Sequence, residues 1–248
     1  MVRLFLNCLL VIGLSTCASA QQSGYVVSQR TRLTISANRV DGGLEVLTDE
    51  RLSSNLQKDM WGNGDWSMAL NEKDSLFAEF KARPPRNAQL RIVNAANHPL
   101  QTVELERPLA RIRTQRLAAE GSSFLVAVDY SVGFGSYAGV TTLLLDIQDG
   151  KFHWVEALNS KTGQHDRIAL PDTLKSAWRL VPYQRGEDIL QVLCRPAYSD
   201  KAKTSVNFTL YYIRYHYDGK QWMKFERLRA GMWESDEPFP ASTAFPGN

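Results

Sequence analysis

The chain has 248 residues, of which 44% are hydrophobic, 10% aromatic and 22% charged. That balance excludes a disordered tail, a collagen repeat and a disulfide-dense miniprotein. With 29 basic against 26 acidic residues, the net charge of +3 is too small an excess to argue for a nucleic-acid partner.

Residues 1–20 carry the three regions of a secretory signal. Arg3 supplies a positive start, residues 4–14 are mostly apolar, and Ala18-Ser19-Ala20 offers a small-x-small cleavage site. The apolar run is shorter than the roughly 20 residues of a transmembrane helix. Later apolar runs are each broken by charge, so no transmembrane segment is predicted. The expected location is periplasmic or secreted. Leu14-Ser15-Thr16-Cys17 resembles a lipobox, which keeps lipid anchoring through Cys17 as the alternative. Residues 21–248, expected to be a single all-β domain, hold Cys194 as their one cysteine, so no intrachain disulfide is predicted.

Short β-like runs between turns then follow. Asp41-Gly42 separates Leu33-Thr34-Ile35 from Leu44-Glu45-Val46-Leu47. Leu52, Leu56 and Met60 recur at helical spacing behind Asp49, a candidate N-cap, and predict a short helix. Asn97-His98-Pro99 divides residues 89–93 from 101–105. Strands over 112–117 and 124–130 lead to a hairpin of 141–148 with 151–158 across Asp149-Gly150. Strands over 178–181 and 188–195 lead to a second, 208–217 with 220–228, across Asp218-Gly219. Asp-Gly between β-formers is a strong hairpin signal, because a type I′ turn needs positive φ at both central residues. The tail, residues 234–248, has three prolines and two phenylalanines, and is expected to lie extended and packed back on the body. The predicted fold is all-β, an antiparallel meander of repeated hairpins in a β-sandwich-like arrangement. A small propeller-like array of four-stranded units is the alternative.

Few motifs carry chemistry. His-Glu-x-x-His, Gly-x-Ser-x-Gly, Cys-x-x-Cys and Gly-Lys-Ser/Thr are all missing, and no cofactor is implied. His98, His165 and His216 stand apart at no ligand spacing, so no metal site is predicted. A two-residue hairpin at Asp149-Gly150 would set Asp146 opposite His153, about 5 Å apart at Cβ. With Asp129, these are the candidate catalytic residues of a hydrolase; the plainer reading is an ordinary cross-strand pair. Trp61-Gly62-Asn63-Gly64-Asp65-Trp66 is the candidate ligand-binding segment. Trp61 and Trp66 could stack on a sugar or peptide while Asn63 and Asp65 hydrogen-bond it, unless both indoles serve as core. Arg107, Arg111, Arg113 and Arg116 form a basic stretch suited to an anionic partner or to a solvated edge. Cys194, in phase with Leu190 and Val192, is expected to be a buried thiol.

The leading expectation is a non-enzymatic exported protein that binds an envelope glycan or peptide, or is otherwise associated with the envelope. A loop-assembled hydrolase and a structural or assembly component are the alternatives.

Overall fold

The computed structural model describes residues 24–35, 40–63, 65–114, 126–132, 135–148, 151–183, 186–198 and 206–247. The signal-like residues 1–20 and the Asp149-Gly150 turn lie outside them.

The first sheet is a four-stranded antiparallel meander: β1 (Tyr25–Ile35), β2 (Val40–Asp49), β3 (Gln89–Asn94) and β4 (Pro99–Glu104). Between β2 and β3 the chain makes three short helices, α1 (Ser54–Asn63), α2 (Trp66–Ala69) and α3 (Ser75–Ala82). The Asp41-Gly42 turn is corrected. Both residues lie inside β2, paired with Thr34 and Leu33, so they do not form the turn. The turn before Pro99 forms as expected: Asn97 has φ 60°, and the Asn94 side chain accepts from the Ala96 and His98 amides.

The helix expected behind Asp49 forms, but the cap is Ser53, whose hydroxyl accepts from the Leu56 amide. Leu52, Leu56 and Met60 are buried against Phe80 and Leu109. Asp49 is spent elsewhere. Its carboxylate takes two bonds from the Arg51 guanidinium and one from the Arg86 amide, while Arg51 also donates to the Arg83 and Pro84 carbonyls. Burial alone would raise the Asp49 pKa, but these donors bring it down to about 2. The helices are thereby clamped to the end of β2.

The second sheet has eleven strands. In chain order they are β5 (Ala110–Thr114), β6 (Val126–Val132), β7 (Gly139–Gln148), β8 (Lys151–Trp154), β9 (Glu156–Asn159), β10 (His165–Arg167), β11 (Ala169–Thr173), β12 (Ser176–Tyr183), β13 (Gly186–Tyr198), β14 (Val206–Tyr217) and β15 (Trp222–Ala230). In space the order is β10-β9-β15-β14-β13-β12-β11-β7-β6-β5, with β8 paired to β7 off this path. Among the described residues neither sheet closes, so the fold is the sandwich-like arrangement rather than the propeller-like array.

Two expected hairpins differ in detail. The pairs Gln148–Lys151, Ile147–Phe152 and Asp146–His153 form as predicted. The strand expected over 151–158 nevertheless breaks at buried Val155, whose amide bonds Leu144 O. Beyond it, β9 pairs in parallel with β15. At Asp218-Gly219 the loop has four residues, not two, because Tyr217 pairs with Trp222. Gly219 does take positive φ, at 93°, while the Asp218 carboxylate accepts from the Lys220 and Gln221 amides and outcompetes the tighter turn.

The sandwich core lies between the sheets. Leu44, Val46, Leu90 and Ile92 of the small sheet meet Ile112, Val128, Leu143 and Leu145 of the large one. Two glutamines stitch the layers at their margins. The Gln29 amide both donates to and accepts from the Ile112 backbone, and Gln101 accepts from the Phe152 amide. A second core joins Ala127 and Leu144 to Ile189, Ile213, Tyr215 and Trp222. The tail packs back as expected, with Phe245 almost wholly buried beside Trp233 and Tyr212.

Candidate functional site

Alternation along β5, β6 and β7 decides which side chains leave the sandwich core. Ile112, Val128 and Leu143 point into it, so their neighbours point to the other face. The register sets Arg111 opposite Asp129 and Asp129 opposite Thr142, a polar row across three strands. Asp129 is fully buried. Its Oδ2 accepts from Arg111 Nε at 3.0 Å and Arg113 Nε at 2.7 Å. Its Oδ1 accepts from Arg113 Nη2 at 2.8 Å and from the Thr142 hydroxyl at 2.7 Å. Desolvating a carboxylate costs several kcal/mol, and this set of charge-assisted bonds offsets it. The two arginines are themselves half open, with side chains 49% and 44% exposed.

The helical segment completes the patch. The Arg111 guanidinium lies over the Trp61 ring, 4.6 Å from its centre. The aromatic segment and the basic stretch, separate in the sequence, therefore meet here. Trp61 and Trp66 are both partly buried against the helical core. Trp66 packs on Phe77 and Phe80, with ring centres at 5.7 and 5.6 Å. Asp65 is the N-cap of α2, its carboxylate accepting from the Ser67 amide. Asn63 closes α1, and its side chain lies outside the described residues.

The three acid–base candidates do not converge. Asp146 and His153 stand opposite each other on β7 and β8. Asp146, however, is four residues along β7 from Thr142, roughly 13 Å at strand rise. Asp129 is committed to its arginines.

A different carboxylate–imidazole pair forms where sequence reading saw only an isolated histidine. Asp188 on β13, 1% exposed, lies across from His216 on β14, and Asp188 Oδ1 is 2.8 Å from His216 Nδ1. The Arg214 guanidinium bonds the other oxygen, stacks on Tyr183 at 4.6 Å and donates to the Gly247 carbonyl of the tail at 2.7 Å. Such a carboxylate fixes the imidazole tautomer and leaves Nε2 turned away from it. A separation of 28 positions in the chain hid the pair; only the alignment of β13 with β14 brings them together. Cys194 is buried and forms no disulfide.

Fold and site together define an all-β sandwich-like protein with an aromatic and cationic patch at the β5 edge of its large sheet. Comparison with protein-family models, curated proteins and solved structures gives no match, so the chemistry of the site is the guide to function.

Proposed function

We propose that this is an exported binding module whose ligand face is the junction of α1 with β5, centred on Trp61, Arg111 and Arg113 and flanked by Asp65 and Trp66. The meeting of Trp61 with Arg111 carries the reading. It joins an aromatic surface to half-exposed donors that are already held in place, so little ordering is needed on binding. Export is supported by the signal-like pattern of residues 1–20. No helix among the described residues is long and apolar enough to cross a membrane. The ligand class follows from location: an envelope glycan or peptide.

The test is co-sedimentation of the purified protein with insoluble envelope material from the producing cell. Binding that drops in a folded Trp61→Ala variant supports the reading. A folded wild-type protein that stays wholly in the supernatant overturns it.

A further inference from the structure

We infer that the Trp61–Arg111–Arg113 patch recognises a carboxylate-bearing sugar, an acidic polysaccharide of the uronate type. The inference rests on the binding reading above and names its ligand class. Three observations carry it. First, Asp129 occupies only part of the donor set. Arg111 spends Nε on it and Arg113 spends Nε and Nη2, which leaves both terminal nitrogens of Arg111 and Nη1 of Arg113 without a hydrogen-bond partner among the described residues. Second, these donors are rigid. A fully buried carboxylate anchors both arginines, Thr142 holds Arg113, and Trp61 supports Arg111. Planar guanidiniums fixed this way suit a planar oxyanion. Third, the partly buried Trp61 ring adjoins the cations. A uronate carries its carboxylate directly on a rigid ring with an apolar CH face, so that ring would lie beside Trp61 when the carboxylate meets the arginines. An acidic peptide side chain separates its charge from the backbone by flexible methylenes and gains less from the same arrangement.

Besides Asp129, a further carboxylate opposes the ligand. The Asp172 carboxylate interacts electrostatically with both Arg113 and Asp129. It forms no ion pair with either arginine within 4.0 Å, so it competes with an incoming anion without filling its place. This supplies a test that a purely structural arginine pair would not pass.

The experiment is calorimetric titration of the purified protein with oligogalacturonate, its methyl-esterified form and poly-glutamate, in low salt. The free acid is expected to bind. Esterification, or Arg113→Gln in a variant that remains folded at the assay temperature, should weaken binding about tenfold, the size of one charge-assisted hydrogen bond. Asp172→Asn should tighten it severalfold. Equal binding of acid and ester, or an Arg113→Gln protein that binds as wild type, overturns the inference. Poly-glutamate binding as tightly as the uronate transfers the site to acidic peptides and overturns the sugar assignment. Envelope binding that depends on Trp61 without any uronate binding sinks this inference alone; loss of both sinks the binding reading with it.

Discussion

Two regions of the large sheet solve the same problem in opposite ways. Near its β5 edge, buried Asp129 is held by Arg111 and Arg113; in the β13–β14 ladder, buried Asp188 is held by Arg214 and His216. Each carboxylate stands at a cross-strand position with two nitrogen-bearing partners. In the first, both arginine side chains are nearly half exposed. In the second, the Arg214 side chain is only 6% exposed and its remaining capacity goes to the Gly247 carbonyl and the Tyr183 face. The difference teaches that a buried carboxylate does not by itself mark a site. What matters is whether its partners keep donors turned to solvent. Arg214 is a staple between sheet and tail, whereas Arg111 and Arg113 are presented outward.

The largest expected effect comes from breaking the closed cluster. Asp188→Ala strands a buried guanidinium, and should cost about 3–5 kcal/mol. Urea unfolding with an unchanged slope measures it, and the tail should become protease-sensitive. A loss below about 1 kcal/mol would mean that Arg214 finds water easily, and the contrast between the regions would vanish.

Asp49, another buried carboxylate, sharpens the comparison through pH. Its folded pKa of about 2 lies below the ordinary value of 3.8. Its contribution is therefore fully present above pH 4 and disappears as pH falls toward 2. At about 1.4 kcal/mol per unit, this amounts to about 2 kcal/mol. The stability gap between wild type and Asp49→Asn should shrink by that amount between pH 5 and pH 2, and a gap that stays constant would contradict the clamp.

Asp129→Ala should cost less, about 1–2 kcal/mol, because the arginines it releases are already half hydrated. A cost equal to that of Asp188→Ala in the same urea assay would refute the assignment of open and closed clusters.

Gly219→Val is the smallest change and serves as the control on the His216 strand. A Cβ there meets nothing within 4 Å, so only positive φ resists it. About 1 kcal/mol of destabilisation is expected by thermal unfolding, with the Asp188 cluster undisturbed. A neutral result would mean that the loop relaxes.

What was legible in the chain were local features. Alternation and Asp-Gly signals specified the β class and the pairing of Asp146 with His153, because neighbouring strands and a short turn fix that register between them. Leu52, Leu56 and Met60 announced their helix by spacing alone. The tail's prolines and phenylalanines announced an extended segment with rings to bury, and the place of Cys194 beside Leu190 and Val192 foretold its burial. Competition between local groups was harder to read. Ser53 won the cap from Asp49 because Arg51 and Arg86 claimed that carboxylate, and Asp218 widened its own turn by binding two amides.

The clusters belonged to the tertiary structure. Arg111 meets Asp129 only through the β5–β6 register, and meets Trp61 only because α1 returns to that edge of the sheet. Asp188 meets His216 only once β13 and β14 are aligned, 28 residues apart in the chain. Strand periodicity says which face a side chain takes, but not which distant strand supplies its neighbour. That choice is made by burial of the two cores, summed over many residues at once, and no short window of sequence contains it.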